Sequence, residues 1–237
     1  MKLLPNTNIS QDVLKIALPV VGGLSTQMLL SLLDTAMVGR LVNSKIALAA
    51  LGISFLASWA ITSLFSSMST GTHVLIARRQ GEENREGVGT VLNNSLALSL
   101  LFGLVVGTVG YFYSFQIVNF FSNDLAVARE GTDFMAYKFL GLPFFLLIVS
   151  YRSFFYGIGH TKIFLVSAII VMVVHITFNF LLVFGNLGFP AMGLAGAGAS
   201  SFISMVIGAL FFIIVTFFRE YRITYSLFKH IRMSKDI

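Results

Sequence analysis

Six apolar runs, each long enough to cross a bilayer as a helix, dominate this sequence. About 20 helical residues cross the roughly 30 Å hydrocarbon core of a membrane. The runs cover residues 16–38, 46–73, 88–112, 134–149, 163–184 and 192–218, and Pro143 interrupts the fourth. The sequence therefore predicts an all-α integral membrane protein, a bundle of six transmembrane helices.

The scarcity of charge supports a membrane protein over a soluble one. Only 11% of the 237 residues are charged and 56% are hydrophobic. A soluble domain of this size carries about a quarter of its residues as charges, because water must cover its surface. Lipid must therefore replace water around most of this chain.

Positive charges lie in short segments between the apolar runs, which argues against a nucleic-acid partner despite the net charge of +6. Segments 78–86 and 152–162, the tail and two amino-terminal lysines place 12 of the 16 cations on one side. The positive-inside rule then predicts that both termini are cytoplasmic. The four cations assigned to the opposite side are Arg40, Lys45, Arg129 and Lys138. We expect a membrane domain over residues 1–218 and a basic cytoplasmic tail or linker over residues 219–237.

The sequence carries no arrangement of residues typical of an enzyme. It has no His-Glu-x-x-His, no Gly-x-Ser-x-Gly and no phosphate-binding glycine loop. It also has no cysteine for a disulfide or a thiolate metal site. We expect neither enzymatic activity nor a resident cofactor or metal.

A few polar side chains inside the apolar runs are the candidates for function. Asp34, the acid within these runs, lies seven residues after Gln27, so both project from nearly the same face of the first span. His175 and Asn179 share a face of the fifth span. The topology places Asp34, His175 and Asn179 at comparable depth. If the two helices are neighbours, the three enclose one polar chamber in the outer half of the membrane.

Burying Asp34 costs free energy, which favours a functional role for it. A carboxyl removed from water in a bundle can exchange a proton near physiological pH. Surrounded by amide and hydroxyl oxygens, Asp34 and Asn179 could instead hold a sodium ion. Alternatively, Asp34 reaches water at the outer interface, and His175 and Asn179 only join helices.

Three stretches resemble the multidrug and toxic compound extrusion (MATE) family. Ala17-Leu18-Pro19-Val20 with Leu33-Asp34-Thr35-Ala36-Met37-Val38-Gly39 is similar to the first helix of the family, and more to its DinF-like branch than to its NorM branch. Gly141-Leu142-Pro143 with Arg152-Ser153-Phe154 and Gly157-x-Gly159-x-Thr161-Lys162 resembles its fourth helix and the following loop. Asn179-Phe180-Leu181-Leu182-Val183-Phe184-Gly185 with Gly193-Leu194-Ala195-Gly196-Ala197-Gly198 is similar to its connection between helices five and six.

The resemblance implies an exporter in a bacterial cytoplasmic membrane that uses a proton or sodium gradient to expel organic cations and other amphiphiles. It implies a cation-coupling role for Asp34, with Asn179 and His175 beside it. Gln27 and, more loosely, Ser201 match positions that line the substrate cavity. Some members carry an acid in place of Asn179, so the choice between proton and sodium stays open.

The resemblance also implies a partner for this chain, because family members have twelve helices in two lobes. We expect a second six-helix lobe or a second copy, since alternating access needs one bundle to move against another. A lipid or lipid-linked oligosaccharide flippase of the same superfamily is an alternative, although a flippase cavity is more cationic and no Lys or Arg is expected deep in a span here. A non-transporting fragment or assembly partner is the other alternative.

Overall fold

The structure is a computed structural model that describes residues 7–122 and 124–227. Its long helices are α1 (Thr7–Val38), α2 (Ser44–Gly81), α3 (Arg85–Phe112), α5 (Leu125–Gly157), α6 (Thr161–Phe184) and α7 (Leu194–Phe217). Two short helices, α4 (Ser114–Phe121) and α8 (Arg219–Thr224), follow α3 and α7. Over the described residues, six helices are long and apolar enough to cross a membrane. The predicted fold class, an all-α bundle of six spans, is confirmed.

The fourth span differs most from its predicted limits of 134–149, because α5 runs over Leu125–Gly157. The carboxylate of Asp124 accepts a hydrogen bond from the amide of Ala126 at 2.8 Å and so caps the first turn. Pro143 lies inside the helix without ending it. Neighbouring helices commonly support proline within membrane helices. Hydropathy detects only the apolar part of a helix, which here is shorter than the helix itself.

Glycines allow α3 to pack closely against α5. A Cβ atom added at Gly103 would lie 2.5 Å from the Cα of Pro143, and one at Gly107 would lie 2.7 Å from the carbonyl oxygen of Phe139. Such small residues let backbones approach where lipid provides no hydrophobic force between helices. Gly103 and Gly107 therefore act as packing positions.

Hydroxyl groups add a second link among α2, α3 and α5. Ser95 lies 3.0 Å from Thr72 and 2.8 Å from Ser150, and Ser150 lies 2.8 Å from Ser99. All four residues are buried. Hydrogen bonds of this kind join helices inside a bilayer and satisfy groups that lipid cannot solvate.

Helices α1 and α6 pack side by side in the same direction. A Cβ added at Gly23 would collide with the ring of Phe164, so this ring packs directly against the backbone of α1 at that point. Asp34 lies eleven residues after Gly23, and His175 lies eleven residues after Phe164. This register brings Asp34 level with His175.

Two buried clusters occupy opposite ends of the bundle. One contains Phe154, Phe155 and Phe212 with Tyr221 of α8. The other lies near the end of α1 and includes Val38 and Phe134. Helix α1 packs mainly against α6 and makes few contacts with α2, which leaves room for cavities between α1 and α2. The division at residue 218 stays a prediction, and the end of the predicted tail, residues 228–237, lies outside the described residues.

Candidate functional site

Two polar side chains of α6 contact the carboxyl group of Asp34, which lies on α1. Nε2 of His175 lies 2.7 Å from Oδ1 of Asp34. Nδ2 of Asn179 donates a hydrogen bond to the same oxygen at 2.6 Å. The structure therefore brings together the three residues that the sequence placed at comparable depth.

These groups are withdrawn from the surface of the bundle. The fractional exposure is 9% for Asp34, 4% for His175 and 0% for Asn179. This burial favours a role for Asp34 inside the bundle over the alternative in which it merely reaches water at an interface. A buried carboxyl needs hydrogen bonds or a neutralising charge, and the two contacts at Oδ1 supply the former.

The second nitrogen of His175 faces a hydroxyl group whose own proton is already engaged. Oγ of Ser204 donates to the carbonyl oxygen of Ser200 at 2.7 Å and lies 3.3 Å from Nδ1 of His175. The tautomer of His175 decides which of its ring nitrogens donates, and Ser204 and Asp34 lie on its two sides. Both ring nitrogens therefore have a partner within the bundle.

The two predicted cavity residues lie close to this cluster. Gln27 and Ser201 both line a cavity of about 500 Å³ that also contains Asp34 and His175. Gln27 additionally lines a neighbouring cavity of about 720 Å³. The roles assigned to Gln27 and Ser201 stay predictions.

Lys138 is the residue that the sequence analysis placed wrongly. It was counted among the charges of the opposite side, yet it lies within α5 and lines both cavities. Its ammonium donates a hydrogen bond to Oγ of Ser201 at 3.0 Å. The two cavities therefore carry a lysine that the sequence analysis did not expect there. A signal existed, because residue 138 falls inside the apolar run 134–149.

The larger cavity is mainly apolar. It lies between α1 and α2 and is lined by Met28, Leu32, Phe55 and Trp59, among others. Its volume falls within the range of pockets for small organic ligands. The smaller cavity is lined by Asp34 and His175, and residues such as Gln27 and Lys138 line both cavities.

Comparison with known proteins shows which family this chain resembles. The family model MatE matches residues 19–181. A probable multidrug resistance protein NorM from Thermotoga maritima is 27% identical over 213 residues, which are 90% of this chain and 45% of that protein. The uncharacterized transporter YisQ from Bacillus subtilis is 26% identical over 219 residues, which are 92% of this chain and 47% of that protein.

A solved structure shares the fold. An outward-facing multidrug resistance MATE family transporter of the MOP superfamily superimposes with a TM-score of 0.84 at 22% identity, covering 95% of this chain and 49% of that one. This chain spans about half the length of the relatives it matches. The first relative bears the name NorM, and the assignment to the DinF-like branch stays a prediction. Because the family model matches well over half of the chain, this protein belongs to the MatE family of multidrug and toxic compound extrusion transporters.

Proposed function

We propose that this chain is one six-helix lobe of a cation-coupled exporter of drugs or other organic amphiphiles in a bacterial cytoplasmic membrane. The observation that carries the proposal is the contact of Asp34 with His175 and Asn179 inside the bundle, at the wall of a cavity. The names of the relatives, among them a probable multidrug resistance protein, support the substrate class. Both termini are proposed to be cytoplasmic.

The geometry favours a proton over sodium as the coupling ion. Two nitrogen atoms, Nε2 of His175 and Nδ2 of Asn179, already contact Oδ1 of Asp34. A hard cation such as sodium prefers oxygen ligands, and an imidazole is a poor substitute. The amide oxygen of Asn179 is buried without a partner among the described residues. Turning this amide would offer that oxygen to a sodium ion, so sodium is the second candidate.

In the proposed cycle, proton binding and substrate binding exclude each other. A proton that enters the pair of Asp34 and His175 neutralises it and weakens the attraction for polar partners along the cavity wall. Repacking of α1 against α6 then closes the chamber on the substrate side. One proton that crosses a potential of 100 mV contributes about 2.3 kcal/mol to the cycle.

A second lobe is part of the proposal, because one bundle must move against another. Since the relatives are about twice as long, the partner is a further six-helix lobe or a second copy of this chain. The test expresses this chain alone and together with the carboxy-terminal lobe of a relative, then measures dye efflux from proteoliposomes under an imposed proton or sodium gradient. The absence of efflux in both arrangements would support the non-transporting alternative.

The coupling role is tested in the same assay with Asp34→Asn. Asp133→Asn is a matched control, because Asp133 is an exposed carboxylate on α5. We expect gradient-driven efflux to be lost in the first variant and kept in the second. Equal efflux in both variants would contradict the coupling role of Asp34.

A flippase is the second candidate function, and one observation now favours it. The flippase was disfavoured because no cation was expected in the cavity. Lys138 lines both cavities and supplies such a cation. A lipid with an anionic head group and a long apolar tail is the substrate that such a chamber would hold. Scrambling of a fluorescent anionic lipid in proteoliposomes distinguishes the two functions.

A further inference from the structure

Lys138 lies inside the fourth span, four residues after Phe134, at which the apolar run begins. Its side chain is half-buried and lines both cavities. A cation inside a span costs free energy and marks a functional position by default.

The ammonium of Lys138 forms fewer hydrogen bonds than it can donate. It carries three N–H donors, and one of them bonds to Ser201 at 3.0 Å. It also lies 5.2 Å from the centre of the Phe134 ring, within the range of a cation–π contact. Among the residues that the structure describes, it forms no ion pair within 4.0 Å. Two donors are left for a group inside the cavities.

Asp34 and Lys138 both line the smaller cavity, and of the two only Lys138 also lines the larger one. Oδ1 of Asp34 already contacts two nitrogen atoms of α6. Ser201 and Phe134, which the ammonium of Lys138 contacts, line the smaller cavity, so the ammonium lies where the two cavities adjoin. An amphiphile whose apolar chain lies in the larger cavity meets this positive charge with its head group.

We infer that the larger cavity binds amphiphiles with an anionic head group, which the ammonium of Lys138 holds while the apolar chain lies along Met28, Leu32 and Trp59. The inference rests on the proposed function, whose substrate class it narrows from organic amphiphiles in general to anionic ones. It departs from the expectation of cationic substrates. Export of an anion is also consistent with an inside-negative potential, which favours its exit by about 2.3 kcal/mol per charge and 100 mV.

Trp59 provides the measurement, since it is the one tryptophan of the chain and it lines the larger cavity. Three probes share one brominated alkyl chain, which quenches tryptophan, and differ in their head group: carboxylate, alcohol or trimethylammonium. Each is titrated into the full chain in nanodiscs of zwitterionic lipid. The part of the quenching that an unbrominated analogue reverses is specific binding.

We expect the carboxylate probe to bind about tenfold or more tightly than the alcohol probe, as one charge-assisted hydrogen bond would give. In Lys138→Met this preference disappears while the alcohol probe binds as before, which shows that the fold is kept. Lys138→Arg retains the preference, because a guanidinium also donates to a carboxylate. Lys45→Met is the matched control, since Lys45 is exposed at the start of α2 and lines neither cavity.

Two results would overturn the inference: tightest binding of the trimethylammonium probe to the unmodified chain, or a carboxylate preference that survives in Lys138→Met. Nanodiscs that contain anionic lipid distinguish the sources of the head group. Competition by that lipid identifies a lipid ligand, and its failure to compete identifies a soluble amphiphile. The coupling role is measured by gradient-driven efflux and this inference by probe binding, so failure of the one and failure of the other give different results.

Discussion

The imidazole Nε2 of His175 on α6 lies 2.7 Å from the carboxyl Oδ1 of Asp34 on α1. Two residues separated by 141 positions thus share one buried hydrogen bond. The contact depends on the packing of the Phe164 ring against Gly23 and on the register that follows from it. Both residues line the smaller cavity.

Replacing His175 by Gln should abolish the pH response of ligand binding without unfolding the chain. A glutamine amide can still donate a hydrogen bond to Asp34, but it cannot take up a proton near neutral pH. His73→Gln is the control, because His73 lies on α2 and lines neither of these two cavities. The measurement is Trp59 quenching between about pH 5 and 8. An unchanged pH profile in His175→Gln would show that the imidazole takes no part.

Asn179→Asp should lower the thermal stability of the chain. The variant loses Nδ2 of Asn179, which donates to Oδ1 of Asp34 at 2.6 Å, and places a second buried carboxyl beside the first. Loss of a buried hydrogen bond of this kind costs about 1–3 kcal/mol. Asp133→Asn is the control, because Asp133 is exposed on α5. Thermal unfolding in detergent measures the change, and an Asn179→Asp variant as stable as the control would contradict the placement of Asn179.

Gly23→Ala should disturb the pair from a distance of eleven residues. The added methyl group would collide with Phe164, whose ring is buried and cannot swing into open space. Helix α1 must then move away from α6, which lengthens the contact between Asp34 and His175. Nitrogen NMR of labelled histidine, assigned with His175→Gln, should show a changed His175 signal. Gly71→Ala is the control, because a Cβ there meets nothing within 4 Å.

Gly103→Ala should lower the thermal stability of the bundle. Its Cβ would lie 2.5 Å from Pro143, a backbone contact that cannot relax by a change of rotamer. Overpacking of this kind costs about 1–3 kcal/mol. Gly71→Ala again provides the comparison and should be neutral. A Gly103→Ala variant as stable as Gly71→Ala would contradict the close packing of α3 on α5.

Much of the fold follows from the sequence, because the apolar runs fix the number and approximate position of the spans. The shared depth of Asp34, His175 and Asn179 followed from counting residues along alternating spans. The ends of α5 could not be predicted from the apolar run, because the charged first turns of the helix extend past its apolar part. Lys138 was misplaced for the same reason, as its charge was assigned to the flank of the span.

Other details depend on contacts that no local pattern encodes. The bond between His175 and Ser204 requires a particular rotation of α7 against α6. The split of the chamber into two cavities depends on how far α1 stands from α2. These are outcomes of packing between distant segments, which hydropathy and motif spacing do not determine.

The most direct test of the proposed coupling counts the protons that the chain exchanges when a ligand binds. The alcohol probe is added to the protein in weakly buffered nanodiscs with a pH indicator, so that the ligand carries no charge of its own. Proton exchange at the pair of Asp34 and His175 predicts that ligand binding releases protons, at most one per chain. Asp34→Asn should release none and Asp133→Asn should behave like the unmodified chain. The same proton release from Asp34→Asn as from the unmodified chain would contradict the account.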